Sequence, residues 1–217
     1  MSQIQTLSLL AGLWLGYFLI HSLLASLPVK YWVARRFPAF IPWYRLIFNS
    51  LALLLLLPPL AYMWMLRGEP LWQWQGAAAW IANGLALLAL AGFVWSLKVY
   101  DSGEFLGLRQ LRLQITEVHD QERFHISHLH RFVRHPWYSL GLVLVWTQEM
   151  DPARLVSALA ISLYILLGSM LEERKLRVYH GEVYRRYQQR VPGLIPRPWR
   201  YLNRSQAQRL QAGQEVG

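Results

Sequence analysis

Two short blocks of charged and aromatic residues carry the side chains that could do chemistry. The first block runs from Arg134 to Gly141, reads RHPWYSLG and leads into an apolar run. Pro136 suits the first turn of a helix, because the N–H that it lacks would have no partner there. Arg134 and His135 then lie at the helix entrance, where N–H groups and the helix dipole favour a bound carboxylate or phosphate. Gly141 would let a ligand or a neighbouring helix approach closely.

The second block begins with two adjacent carboxylates, Glu172 and Glu173, at the end of another apolar run. Such a pair costs free energy at a membrane helix end unless it is paired with cations or used in function. Successive helix positions point about 100° apart, so we expect one carboxylate to face the helix bundle and the other to face water. Both blocks also have a purely structural interpretation, in which they are interfacial anchors and a solvated charge cluster.

The composition of the chain indicates that these blocks belong to a membrane protein. Of the 217 residues, 54% are hydrophobic and only 16% are charged, and the mean hydropathy is +0.20. A soluble domain carries about 25% charged residues. The chain has no cysteine, which excludes disulfides, thiolate nucleophiles and Cys-ligated metal centres. The net charge of +10 is then better explained by helix orientation and anionic lipid headgroups than by nucleic acid.

Five apolar runs predict an all-α, polytopic membrane protein with about five transmembrane helices, since a span needs about 20 apolar residues. The predicted spans are Leu7–Leu27, Leu46–Leu66, Ala77–Leu97, Trp137–Met150 and Leu155–Leu171. The fourth is short for a full span, and Pro58-Pro59 is expected to kink the second.

The distribution of basic residues predicts the orientation of these spans. The loop Pro28–Arg45 and the tail after Leu171 are both rich in Lys and Arg, and basic loops stay in the cytoplasm. The N-terminus is therefore expected outside and the C-terminal helical segment in the cytoplasm. We expect a single integral-membrane domain over residues 1–205, with its motif core at 105–196, and a polar, flexible tail over 206–217.

The two blocks together resemble the isoprenylcysteine carboxyl methyltransferase family. The shared pattern is RHPxY, a short helical hairpin, EExxL and then GExYxxYxxRVP, and it covers the chain from Arg134 to about Pro196. More broadly the chain is similar to membrane methyltransferases that act on phospholipids and methanethiol. The upstream segment FLGLRQ, residues 105–110, is similar to the methanethiol and nitrite/nitric-oxide-reductase-associated (NnrU-like) branch. The chain departs from the pattern at Leu140, where the family usually has glycine.

The resemblance implies that S-adenosylmethionine is the cofactor and that the site faces the cytoplasm of a bacterial inner membrane. It implies a small thiol or a lipophilic carboxylate or lipid as methyl acceptor, with membrane lipids as partners. The cofactor-binding residues expected from it are Gln110, Arg134, His135, Tyr138, Gly141, Glu172, Tyr184 and Tyr187. Arg134 and His135 would hold the cofactor carboxylate, Glu172 or Glu173 its positive charge, and the tyrosines its adenine. Arg109 and Glu173 are the expected catalytic residues, which would orient an acceptor or take a thiol proton.

Three other interpretations stay open at this point. His125 and His128 could share a helical face, but Glu122 has no second carboxylate–histidine pair to match it, so no metal is predicted. NADPH-dependent sterol reductases share an RHPxY string, although the paired glutamates favour methyl transfer. The third is a non-enzymatic, NnrU-like accessory membrane protein.

The basic segment 197–209 could bind nucleic acid, but lipid headgroups suit its position beside a membrane better.

Overall fold

A computed structural model describes residues 2–97, 102–116 and 124–214. Every regular element in these residues is a helix, so the predicted all-α class is confirmed. The α-helices are α1 (Gln3–Ala25), α2 (Leu27–Arg36), α3 (Ile41–Met65), α4 (Gly76–Ser96), α5 (Ser102–Leu106), α6 (Leu108–Arg112), α7 (Pro136–Trp146), α8 (Pro152–Arg190) and α9 (Arg204–Gln211), with 3₁₀ turns at Pro38–Phe40 and Leu129–Arg131.

Four of the helices in the described part of the chain, α1, α3, α4 and α8, are long and apolar enough to cross a membrane. The fourth predicted span was expected to be short, and the helix found there, α7, has only 11 residues. At about 1.5 Å per residue it is roughly 16 Å long, about half of the hydrocarbon thickness. It ends at Trp146, before the predicted Met150, where the Thr147 hydroxyl donates to the Val143 carbonyl at 2.7 Å. By contrast, α3 continues through Pro58 and Pro59.

The chain forms two compact units that alternate along the sequence. The first consists of residues 1–75, 100–120 and 149–161. In it α1 packs against α3, and Leu10 and Trp14 are buried with Ala153. The indole of Trp14 donates to the Ser157 hydroxyl at 2.8 Å, which satisfies a polar group inside an apolar cluster.

A close approach of backbone segments joins α6 to α3 within the first unit. Gly107 precedes α6 with a φ of +90°, a conformation that glycine adopts without steric cost. A Cβ at this position would lie 2.8 Å from the backbone nitrogen of Leu46. The glycine therefore allows α6, with Arg109 and Gln110, to pack directly on α3.

The second unit consists of residues 76–99, 121–148 and 162–217. Here α4 packs against α7, and the Trp137 indole donates to the Ser96 hydroxyl at 2.9 Å. Helix α8 leaves its helical path at Gly181, where φ is +52° and ψ is −126°. The residues beyond this break form an apolar core that holds the C-terminal part of the unit together.

Two helices form where the sequence had suggested irregular segments. Residues 27–36 of the basic loop form α2, since Pro28 fits its first turn and its alanine and basic residues favour helix. Residues 206–211, expected to be part of a flexible tail, belong to α9. Asn203 and Gln206 form a capping box at its start, and Ala207 and Leu210 are buried in the apolar core.

Candidate functional site

The paired carboxylates lie in α8, directly after the apolar stretch that ends at Leu171. The Glu173 side chain is 18% exposed and the Glu172 side chain is 45% exposed. The expectation that one carboxylate faces the protein and the other faces outward is confirmed. The two residues are therefore suited to different tasks.

Glu173 uses both of its carboxylate oxygens in contacts within the second unit. Its Oε1 accepts hydrogen bonds from Arg134 Nε at 2.8 Å and Arg134 Nη2 at 2.5 Å, and lies 3.1 Å from His135 Nε2. Its Oε2 accepts a hydrogen bond from Gln188 Nε2 at 2.9 Å. Burial alone would raise the pKa of Glu173, but the bonds to His135 and Arg134 lower that pKa to about 2. Glu173 is thus a charged anchor for the entrance of α7 and for the last turns of α8.

Arg134 joins the entrance of α7 to the segment that follows α8. Besides its bonds to Glu173, its Nη1 donates to the carbonyls of Gln188, at 3.2 Å, and Val191. The backbone N–H of Arg134 donates to the Pro192 carbonyl at 2.9 Å. A Cβ at Gly193 would lie 3.3 Å from Arg134 Nη2, so a small residue is needed beside the guanidinium. Arg134 Nε, Nη1 and Nη2 all have acceptors inside the protein.

His135 lies between the two carboxylates and is buried. Its Nδ1 is 3.4 Å from Glu172 Oε2, and its Nε2 faces Glu173. Burial alone would lower the pKa of His135, but hydrogen bonds to Glu172 and Glu173 outweigh that effect and raise the pKa. The Tyr138 ring stacks on the imidazole, with ring centroids 5.5 Å apart. An anionic carboxylate, an imidazole and an aromatic face therefore occur together at the entrance of α7.

Tyr184 and Tyr187 pack inside the apolar core. They are 1% and 3% exposed, and both rings contact Phe124 edge-on. The Tyr187 hydroxyl donates to the His130 carbonyl at 2.5 Å. Tyrosines three positions apart lie on one face of the helix, here its buried side, and the expected contact of these rings with the cofactor stays a prediction.

The remaining predicted site residues lie in α6 and α7. Arg109 and Gln110 are in α6, in the first unit, where Arg109 is exposed and Gln110 is half-buried. Gly141 lies in α7, and a Cβ there would be 4.0 Å from Ile165 Cδ1 of α8. The structure thus brings together Arg134, His135, Tyr138, Glu172 and Glu173.

Sequence reasoning gave no site role to the partners that complete this cluster, although Val191 and Pro192 belong to the second motif. Gln188 contributes an amide to Glu173 and a carbonyl to Arg134, and Val191 and Pro192 contribute carbonyls. Backbone carbonyls have no residue-type signature, so a search for charged side chains does not find them. The one available signal was the RVPG string, because proline and glycine mark the end of a helix.

The histidines of the long loop give a different arrangement from a metal site. Among the residues that the structure describes, no group of three or more His, Asp and Glu side chains could hold an ion. The Ser127 hydroxyl lies 2.7 Å from His130 Nδ1, and burial lowers the pKa of His130 to about 4. His119 and Glu122, which also belong to the histidine-rich segment, lie outside the described residues.

The fold and the cluster define a class: polytopic all-α membrane proteins with an ionisable site at the polar ends of apolar helices. The chain is 34% identical over 180 residues, 82% of this chain and 68% of the relative, to methanethiol S-methyltransferase 2 of Bradyrhizobium diazoefficiens. It is 33% identical over 190 residues, 84% of this chain and 72% of the relative, to methanethiol S-methyltransferase of Crocosphaera subtropica. It is also 27% identical over 214 residues, 91% of this chain and 79% of the relative, to nurim of Rattus norvegicus.

The chain belongs to the methanethiol S-methyltransferase family of membrane methyltransferases. This agrees with the family resemblance of the two sequence blocks. No family model and no solved structure matches the chain.

Proposed function

We propose that this protein transfers the methyl group of S-adenosylmethionine to a small thiol. The observation that carries the proposal is the similarity, over more than four fifths of the chain, to proteins named methanethiol S-methyltransferase. The site supports the proposal with two carboxylates. Both oxygens of Glu173 are hydrogen-bonded within the protein, whereas the Glu172 side chain is partly exposed. A lipophilic carboxylate acceptor is the alternative within the same reaction class.

The residues of the cluster fit the cationic part of this cofactor. Glu172 is a partly exposed carboxylate beside Tyr138 and His135, and a carboxylate next to an aromatic face suits a sulfonium or ammonium group. S-Adenosylmethionine supplies a methyl group on a sulfonium centre, which is a good leaving group. Because the Arg134 guanidinium is committed to Glu173 and to two carbonyls, we assign it a positioning role in place of the expected contact with the cofactor carboxylate.

Methyl transfer to a thiol forms a carbon–sulfur bond to the acceptor and releases the thiol proton. Glu173 is poorly suited to take that proton, because its pKa is about 2 and both of its oxygens are hydrogen-bonded. We therefore assign Glu173 to positioning as well, and Glu172 to the cofactor charge. Arg109 and Gln110 of α6 stay proposed as acceptor-orienting and cofactor-binding residues. Alignment of donor and acceptor is expected to supply much of the rate.

We further propose that α7 completes a fifth crossing and that the site faces the cytoplasm. The Met150 N–H donates to the Trp72 carbonyl at 3.1 Å, and the Leu71 N–H donates to the Met150 carbonyl at 2.6 Å. The loop after α3 and the turn before α8 therefore lie side by side. The helix α4 follows the first of these segments and crosses the membrane, so the chain has to cross again before it reaches the second. In the described part of the chain, α7 is the apolar helix between α4 and α8 that can make this crossing. The basic residues then place the N-terminus outside and the site inside.

The test uses the detergent-purified full chain with methyl-labelled S-adenosylmethionine and methanethiol. We expect labelled dimethyl sulfide in the headspace, and binding of S-adenosylhomocysteine by calorimetry. Glu172→Gln should weaken the binding of S-adenosylmethionine, measured in the same way without acceptor, by tenfold or more, because a charge-assisted contact is lost. Glu182→Gln is the matched control, since Glu182 lies on the same helix and its side chain is 60% exposed.

Each other outcome decides against part of the proposal. Binding without thiol methylation, followed by transfer to a prenylcysteine or fatty acid, would favour the lipophilic acceptor. Oxidation of NADPH with a sterol and no binding of S-adenosylhomocysteine would favour a reductase. A folded protein with neither activity would favour an accessory role.

A further inference from the structure

A cavity of about 390 Å³ lies in the first unit, where α1, α2 and α3 meet. Its size falls within the range of small-molecule sites, roughly 300–1,000 Å³. It exists because the chain turns at Ser26, between α1 and α2, and again at the 3₁₀ turn before α3. The residues that line it are Leu24, Val33, Phe37, Phe40, Tyr44, Ile47, Phe48 and Leu51.

The wall of this cavity offers its occupant only apolar contacts. Seven of the eight lining residues are hydrocarbons or phenyl rings. The eighth, Tyr44, donates its hydroxyl to the Leu24 carbonyl at 2.6 Å. Two of the phenyl rings, Phe37 and Phe40, pack edge-to-face with centroids 6.3 Å apart, which gives the wall a fixed shape. A saturated or lightly unsaturated chain fits such a wall, and a polar ligand does not.

The rim of the cavity carries positive charge from the basic segment 28–45. The Arg36 guanidinium lies 5.7 Å from the centroid of the Phe37 ring, which lines the cavity. Arg35 and Arg36 are both exposed, and the sequence from 28 to 45 contains no Asp or Glu. Tyr31 and Trp32 of α2 are also exposed, as aromatic residues are at the level of lipid headgroups.

We propose that this cavity binds one acyl chain of an anionic membrane phospholipid, whose phosphate is held by Arg35 and Arg36. The occupant follows from charge complementarity: the apolar wall takes the chain, and the basic rim at headgroup level takes the phosphate. Basic pockets between membrane helices are the usual sites for such headgroups.

The test is native mass spectrometry of the full chain in detergent, titrated with phosphatidylglycerol or with phosphatidylcholine of the same chain length. Wild type should retain one phosphatidylglycerol more strongly than phosphatidylcholine. Arg35→Ala with Arg36→Ala should weaken that preference roughly tenfold to thirtyfold, because each basic side chain at a membrane surface contributes about fivefold. Arg185→Ala, an exposed arginine in α8 that lies outside the basic segment 197–209, is the control for a change of charge alone.

A second pair of variants tests the cavity itself. Ile47→Trp places a larger side chain in the cavity and should reduce retention of both lipids. Leu53→Trp, on the same helix and 63% exposed, is the control that should leave retention unchanged.

Two results would overturn the proposal. Equal retention of both lipids by wild type would make the cavity a site for neutral lipid. A loss of phosphatidylglycerol with Arg185→Ala as large as the loss with the Arg35/Arg36 pair would show that the effect comes from net charge alone.

Discussion

Replacement of Arg134 by alanine should destabilise the protein far more than an ordinary loss of a surface charge. The Arg134 and Glu173 side chains are 12% and 18% exposed, so the variant would leave a mostly buried carboxylate without its strongest partner. The carbonyls of Gln188 and Val191 would lose a donor in the same step. Breaking a buried pair costs about 3–5 kcal/mol. Because His135 and Gln188 still bond Glu173, we expect the lower end, about 3 kcal/mol.

The assay is thermal unfolding of the detergent-purified protein. For a chain of this length, about 3 kcal/mol corresponds to a Tm lower by roughly 6–12 °C. Arg134→Lys should fall between wild type and alanine, because an ammonium keeps the charge but loses the planar fork that serves Glu173 and the carbonyls together.

The control is Arg185→Ala. Arg185 pairs with Glu182 at 3.6 Å, with side chains 66% and 60% exposed, and such pairs contribute only about 0–1 kcal/mol. A Tm within 2 °C of wild type for Arg134→Ala would refute the reasoning, since Arg134 would then not anchor the segments that it contacts.

Two further predictions concern backbone geometry and pH. Gly107→Ala should lower the Tm by several degrees for two reasons. The left-handed backbone costs about 1–2 kcal/mol for a residue with a side chain, and the new Cβ would lie only 2.8 Å from the Leu46 backbone nitrogen. Gly84→Ala, a helical position with open space around it, should leave the Tm unchanged or slightly higher, and equal effects of the two would contradict the packing argument. For His135, the raised pKa means that its protonated form stabilises the fold below about pH 6.5 and that this stability is lost as pH rises through the folded-state pKa. The Tm difference between wild type and His135→Gln, measured from pH 5 to 9, should therefore shrink with rising pH, and a difference that grows would show the opposite linkage.

The positions of the long helices followed from hydropathy alone, because a run of about 20 apolar residues has few stable arrangements other than a spanning helix. The position of helix α9 did not follow from hydropathy, although its capping residues Asn203 and Gln206 are visible in the sequence. The segment is mostly polar, so the burial of Ala207 and Leu210 could not be predicted from it. That burial depends on a core formed by distant residues. The length of α7 was overestimated, because an apolar residue such as Val145 gives no signal that the helix ends one position later.

The different exposures of Glu172 and Glu173 were predictable from helical geometry, and their different hydrogen-bond partners were not. Arg134 looks in sequence like a free anion-binding residue at a helix entrance. Whether its guanidinium is free depends on Gln188 and Val191, more than 50 residues further along the chain. Sequence spacing therefore located the cluster, while long-range contacts determine which of its charges is left for a ligand.

The contacts of Glu173 also set an order of events during synthesis. Arg134 and His135 emerge from the ribosome 38 or more residues before the carboxylate that binds them, and longer still before the Pro192 and Gly193 carbonyls that accept their backbone N–H groups. Chains are made from the N-terminus, so the earlier helices enter the membrane while this arginine and histidine still have only water as a partner. The cluster is completed in one of the last steps of folding, because a chain interrupted after Arg190 and before residue 193 has all four apolar helices but lacks the Gly193 carbonyl that accepts from His135.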